Sequence, residues 1–431
     1  MILPICILLI VCVTLIDSEL IDFEEIGGIP DSWEFDIISS NGAIMNKTLN
    51  SLKPGDKFVV GNKTFNLIGG ILVTEKITDA IFQIDGTLKF SNDRNTWPKN
   101  ADGSVMECFQ FNDIERFKFT SGGSLDNRGT LDGNGQAWWG PIKYLIHESD
   151  RPRLMHILKG TEVIWEKLVI LNPPKFAFVC DNAYYMTIRH SEIDVFWNNS
   201  LLPPHTRHSL LDLTAFNTDG FDLRGKYVHV HDVRIWNDDD CLCVKDGPDG
   251  ISEHMVFERI WQASGVGLTI GSVPSGARIN NITFKDAYMP STFKGIYMKT
   301  RWDDAGPDGY ASSITNILYK NITMDSPQQF AVWLGPAQQD DQPCPLYWPQ
   351  AARSECKMSG HHTWENITLK DIFINNPHNS PGVLLFNATN PIRNLVLDNV
   401  IVTGADETNK PWGNDYYCVE GSIVYVVRTQ C

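Results

Sequence analysis

Asp219-Gly220-Phe221-Asp222-Leu223-Arg224 is followed by three segments of the same form: Asp240-Cys241-Leu242-Cys243-Val244-Lys245, Val266-Gly267-Leu268-Thr269-Ile270-Gly271 and Lys294-Gly295-Ile296-Tyr297-Met298-Lys299. Each has glycine or cysteine in second place, then two apolar residues separated by one variable residue. They recur after 21, 26 and 28 residues. That spacing suits one strand per coil of a parallel β-helix, in which successive coils pair as parallel strands, about 4.8 Å apart. In this register Asp219 and Asp240 occupy neighbouring rungs, with Asp239 beside them. Carboxylates so crowded repel one another. Their pKa values separate, and a proton donor and a proton acceptor coexist near neutral pH.

A second repeat runs through the same region in the form apolar, any, apolar, charged, polar or charged. It begins at Met186, Val228, Met255, Ile282, Ile317, Ile367 and Leu395, in steps of 42, 27, 27, 35, 50 and 28 residues. A base period near 27 with loop insertions explains these steps. Alternation at period two places the apolar residues inside and the charged ones outside. Upstream, Lys57-Phe58-Val59-Val60, Ile71-Leu72-Val73 and Ile81-Phe82-Gln83-Ile84 extend the strand pattern, and Ser91 to Ala101 reads as an exposed loop. No long helical periodicity is present. The expected architecture is all-β: a single-stranded parallel β-helix, right-handed by crossover chirality, filling residues 19–431 as one domain. The 50-residue step holds Cys344 and Cys356, a loop that one disulfide would staple. Residues from Trp412 to Cys431 are expected to cap the open end, because an uncapped solenoid exposes edge strands.

The ends and the composition bound the class. Met1 to Ile16 is almost wholly apolar, too short for the ~20 residues that span a bilayer, so residues 1–18 read as a signal peptide. Beyond Cys6 and Cys12 eight cysteines remain, an even count that suits an exported, disulfide-bearing chain. Cys344 with Cys356 and Cys418 with Cys431 would close short loops. Cys241 and Cys243 cannot readily bridge each other. Seven N-x-S/T sequons, at Asn46, Asn62, Asn198, Asn281, Asn321, Asn366 and Asn387, point to glycosylation in a eukaryotic host. The formal charge of −16 disfavours nucleic acid and anionic membranes as partners. No CxxC pair suggests zinc, and neither a cofactor nor a resident metal is expected. A monomer is expected.

The chain resembles glycoside hydrolase family 28, the polygalacturonases and related pectin hydrolases. The resemblance covers most of the chain after the leader, including Gly129-Thr130-Leu131-Asp132-Gly133-Asn134-Gly135 with Trp138-Trp139. Its most specific parts are Asn217-Thr218-Asp219 and Asp239-Asp240-Cys241, one coil apart, which match the family's N-T-D and D-D motifs. The resemblance implies a right-handed β-helix and inverting hydrolysis of α-1,4-linked galacturonate in pectic polysaccharide. It makes Asp239 the general acid and gives Asp219 and Asp240 the attacking water. It places Asn217, Tyr297 and Lys299 at substrate-binding positions, and Arg301, two residues past Lys299, is read as substrate-binding beside them. Two family positions depart. Val266 stands where the family has the histidine of Gly-His-Gly, and Tyr297 where it has the arginine of Arg-Ile-Lys. Tyrosine cannot form the bidentate pair that arginine makes with a carboxylate. Arg301 is the nearest substitute, and Arg224, Lys245 and Lys299 form a candidate cationic column.

Strict alternation would turn Asp219 and Asp240 inward with Phe221 and Leu242, so the strands are expected to begin after them, at a bend. Asp222 and Asp246 are candidate partners for Arg224 and Lys245. His190, His205, His208, His229 and His231 have no metal-ligand spacing. Trp138, Trp139 and Trp197 suit either sugar stacking or core packing. Three other functions stay open: a rhamnogalacturonan hydrolase of the same family, a calcium-dependent pectate lyase, and a catalytically inactive carbohydrate-binding wall protein. In every case the partner is a pectic polysaccharide and the location extracellular.

Overall fold

A computed structural model describes residues 18–140, 150–196, 213–302, 312–339, 342–345, 348, 355–405, 416–418 and 426–427. The leader therefore lies outside the described residues, as do Asn198, Trp197, His205, His208 and most of the expected C-terminal cap.

The described residues form a right-handed parallel β-helix in which every named strand pairing is parallel. The four opening segments show the coil-to-coil pairing most plainly. Phe221 pairs with Leu242, Leu242 with Leu268, Leu268 with Ile296 and Ile296 with Val332. This is the register read from the four opening segments. The second repeat also falls in register. Val228 pairs with Met255, then Ile282, Ile317, Ile367 and Leu395. The strands Phe221–Asn237 and Ile251–Ser264 each run through more than one wall.

The corners explain the last position of that repeat. His190, Asp232, Arg259, Asp286, Asn321, Asp371 and Asn399 all take φ between +50° and +57°. This left-handed bend favours Asn and Asp, whose short polar side chains bond locally. The polarity there is set by the turn as well as by solvent. At the other end of the strand, Asn316, Asn366 and Asn394 also bend left-handed and bond in a ladder, Asn366 Nδ2 to Asn316 Oδ1 at 3.0 Å and Asn394 Nδ2 to Asn366 Oδ1 at 2.8 Å. Inside, aromatic rings repeat from coil to coil. Phe257 stacks on Phe284 at 4.5 Å and Phe284 on Tyr319 at 4.9 Å. Trp138 and Trp139 belong to the buried packing. Trp97 is buried too, with its ring 4.9 Å from Trp138, so it anchors a loop that is otherwise mostly exposed.

One helix was not expected. Phe35–Leu49 buries Ile38, Asn41, Gly42, Met45, Thr48 and Leu49 along one stripe and packs on the strands Thr64–Leu67 and Ile71–Val73. Half of that stripe is polar or glycine, so it has no hydrophobic periodicity. Asn41 is satisfied there: its amide donates to Ile29 O and Asn66 O and accepts from Ile29 N. Gly42 is needed because a Cβ would meet Ile68 Cγ2 at 2.9 Å. Cys344 and Cys356 form the expected disulfide. Cys418 is also disulfide-bonded, and its expected partner Cys431 lies outside the described residues. Cys108, Cys180, Cys241 and Cys243 are buried free thiols.

Candidate active site

The strands begin at Phe221 and Leu242, after Asp219-Gly220 and Asp240-Cys241. The alternation rule therefore never reaches the aspartates, and their carboxylates stay at the bend. The small second residue is required by close stacking. A Cβ on Gly220 would lie 2.2 Å from Cys241 O, and one on Gly267, whose φ is +76°, would lie 1.9 Å from Gly295 O.

Asp219, Asp239 and Asp240 come together with one oxygen each within 4.8 Å of the others. All three are buried. Asn217 bends left-handed, φ +62°, so that its N–H and Nδ2 both donate to Asp239 Oδ2, at 3.1 and 3.3 Å. The Asp240 N–H donates to Asp239 Oδ1 at 2.8 Å. Asp240 is the most heavily bonded. Lys299 Nζ reaches both its oxygens, at 3.1 and 2.9 Å, and Thr269 Oγ1 and Lys245 Nζ add contacts at 3.1 and 3.4 Å. Asp219 Oδ1, by contrast, is sealed and has no donor among the described residues.

These environments split the three titrations. Burial would raise Asp240, but Lys299 and Lys245 more than offset it and hold it below the ordinary carboxylate range. Burial, then the neighbouring Asp240, pushes Asp239 up to about 6. Burial, Asp239 and Asp222 push Asp219 well up. Asp219 and Asp239 thus take up a proton more readily than an ordinary carboxylate, beside an Asp240 that stays ionised.

Other expected residues fall into place unevenly. Tyr297 is buried, and its ring holds two cations, Lys294 Nζ at 4.5 Å and Lys299 Nζ at 4.4 Å from its centroid. Lys299 faces Asp240 directly. Arg301 is half-buried just past the strand Ile296–Thr300. Lys245 bridges Asp222 at 3.6 Å, as expected, and Asp240 and Asp219 as well. Arg224 departs from its expected partners and pairs with Asp181, one coil back. Val266 leaves an apolar, buried position in the wall.

Sequence reading missed Asn237 and Lys294, and took Asp222 only as a partner for a surface cation. Asn237 ends the long strand and clamps the bend: its Nδ2 donates to Thr218 O, Asp239 O and Asp240 O, at 2.9, 3.0 and 2.9 Å. Its position just before three aspartates was the available signal. Asp222 is buried beside the cluster, with Oδ1 unpartnered among the described residues. Lys294 shares the column of Asp219, Asp240 and Val266; the repeat displays that column, yet only Tyr297 and Lys299 were singled out in its segment.

Fold and site together define a class, a β-helical solenoid with a buried carboxylate centre on one outer wall. The chain belongs to glycosyl hydrolases family 28, whose model it matches over residues 55–414. It is 25% identical over 289 residues to endo-xylogalacturonan hydrolase A of Aspergillus tubingensis, covering 65% of this chain and 64% of that one. It is 27% identical over 206 residues to endopolygalacturonase I of Aspergillus aculeatus, covering 47% and 48%. The chain thus spans less than two thirds of the curated relatives it matches. Among solved structures, endo-xylogalacturonan hydrolase from A. tubingensis superposes with TM-score 0.66 at 19% identity, covering 95% of this chain and 99% of that one. Polygalacturonase from Erwinia carotovora ssp. carotovora superposes with TM-score 0.65 at 19% identity, covering 90% and 93%. The superpositions establish a shared fold.

Proposed function

We propose that this protein is an extracellular, monomeric glycoside hydrolase that cleaves α-1,4-galacturonosyl linkages of pectic polysaccharide with inversion. The observation that carries the reading is the three-aspartate cluster with its split protonation. Asp239, pushed up to about 6, supplies the proton to the leaving oxygen. Asp240 stays anionic under Lys299 and Lys245. Asp219, raised by burial and its neighbours, is a stronger base once ionised. A water held between Asp219 and Asp240 fits, because two hydrogen bonds of ~2.7 Å span a gap of up to 4.8 Å. An aspartate pair in an inverting enzyme usually stands farther apart, ~6.5–9.5 Å, so stereochemistry is the sharpest test. The apolar leader and the disulfide support export.

The lyase reading is weakened by Lys245 and Lys299, which already neutralise the carboxylates that calcium would need. The names of the relatives favour a second reading within the same class, a xylose-substituted galacturonan as substrate. The test is product analysis on polygalacturonate, xylogalacturonan and rhamnogalacturonan. New reducing ends should appear, carrying the β anomer in NMR spectra taken before mutarotation. Retained anomers would turn one aspartate into a covalent nucleophile. Unsaturated products that vanish with a chelator would replace the hydrolase by a lyase, and binding without cleavage would leave a binding protein.

A further inference from the structure

Lys294 is 2% exposed. Among the described residues its ammonium makes no hydrogen bond or ion pair. Its close neighbours are rings instead, Tyr297 at 4.5 Å, Phe293 at 5.2 Å and Trp333 at 5.9 Å. A buried ammonium without a carboxylate is strongly disfavoured. Cation–π contact offsets only part of that cost. The charge is therefore under-compensated, and burial together with Lys299 brings its pKa down to about 7 against the pull of Asp240 and Asp239.

Its place gives that charge a use. Lys294 sits two residues before Ile296, as Asp219 and Asp240 sit two before Phe221 and Leu242, and those strands are in register. It is therefore in the aspartate column, on the C-terminal side. Of the two lysines on Tyr297, Lys299 has its ammonium on both oxygens of Asp240. Lys294 alone keeps all its donors for a ligand. Its Nζ, unlike Asp219 Oδ1, is not among the sealed, unpartnered polar atoms.

We propose that Lys294 is a specificity-determining residue whose ammonium takes the carboxylate of the acidic sugar seated C-terminal to the aspartate cluster. Tyr297, which lacks the charge the family pattern would put there, serves as the rest that holds this lysine in position. The inference rests on the proposed pectic substrate.

The test is calorimetric binding of galacturonate oligomers, and of the same oligomers fully methyl-esterified, to full-length protein carrying Asp239→Asn to prevent cleavage. Adding Lys294→Met should weaken binding of the free acid ~10–150-fold, the range for a hydrogen bond to a charged partner. Binding of the ester should fall much less, by ~2–10-fold, the range for a lost neutral hydrogen bond. Lys294→Arg should restore most of the free-acid binding. Equal losses on both ligands, or no loss, with circular dichroism unchanged, would overturn the role of Lys294 alone. Failure of the Asp239→Asn protein to bind either oligomer, while its fold is intact, would overturn the pectic substrate and this inference together.

Discussion

Two aspartates on the strand Phe221–Asn237 stand ten residues apart on different walls, and their chemistry is opposite. Asp232 is 31% exposed and meets Arg259 Nε and Nη2 at 2.9 and 3.0 Å, with His231 Nδ1 at 2.5 Å. Hydrogen bonds from Arg259 hold its carboxyl below the ordinary range. Asp222 is 3% exposed, has Lys245 as its nearest cation at 3.6 Å, and leaves Oδ1 without a donor. Burial raises it. One wall is built by pairing charges in water. The other buries them and leaves them partly unsatisfied. Native chains keep such groups where the strain serves a function, so the site wall should hold activity and the opposite wall should hold only stability.

The largest expected effect is on the site wall. Asp239→Asn keeps the shape and removes the proposed proton donor, and loss of a general acid typically costs ~10²–10⁴-fold. Activity on intact polymer within about twofold of wild type, far outside that range, would take Asp239 out of the mechanism. The wild-type rate should fall as pH rises through about 6, where Asp239 loses its proton. A rate still climbing well above that pH would show that another group carries the proton.

Lys299→Met comes next. The sequence suggests a lysine that reads the sugar carboxylate, whereas the structure puts its ammonium on Asp240. Removing it leaves Asp240 with Lys245 and Thr269, so the Asp240 pKa should rise and the acid limb of kcat should move to higher pH. The loss should be ~10–150-fold and similar on free and methyl-esterified polymer. A loss confined to KM on the free acid would return Lys299 to the substrate.

How far the sequence leads can be traced residue by residue. Strand register was legible because adjacent coils must match apolar positions, and a slip of one residue would turn every side chain over. That is why Phe221, Leu242, Leu268 and Ile296 align as expected. The aspartate cluster followed from the same register. The helix Phe35–Leu49 was not legible, because Asn41, Gly42 and Thr48 occupy its buried stripe and each needs a long-range partner to make sense. Asn237 and the role of Tyr297 were hidden for a related reason. A clamp on three carbonyls and a ring between two ammoniums are made across coils, and their worth depends on distances that periodicity does not carry.

Asp219→Asn probes stability inside the site wall. Asp219 has a raised folded pKa. For such an acid, the stability contribution is complete below its unfolded pKa and is lost as pH rises through the folded value. At pH 7 the native state therefore carries a penalty. An asparagine would remove the charge and aim an N–H among neighbouring carboxylates. Activity should collapse while the melting temperature rises at pH 7, and the gain should shrink toward pH 4. A melting temperature lower at pH 7 than at pH 4, relative to wild type, would mean that the cluster is stabilising and the contrast between the walls is wrong.

The smallest effect is expected on the opposite wall, and it is the control that gives the others meaning. Asp232→Asn removes an exposed carboxylate from Arg259 and His231. Exposed ion pairs contribute ~0.2–1 kcal/mol, because solvent screens them and two long side chains must be ordered. The sign with pH is the reverse of that for Asp219. A lowered folded pKa gives stability that is present above the unfolded pKa and lost as pH falls through the folded value. The variant should thus be slightly less stable than wild type at pH 7 and match it in acid. The left-handed φ of +55° at Asp232 suits asparagine as well as aspartate, so the corner should survive and isolate the charge. Hydrolysis should not change, since the strand's other end, with Asp222 and the bend at Asp219, keeps its register through the pairing with Leu242–Val244. A substantial loss of activity in Asp232→Asn, with the fold intact, would show that the two walls are coupled through the strand and that charge on the outer face helps to place the aspartates.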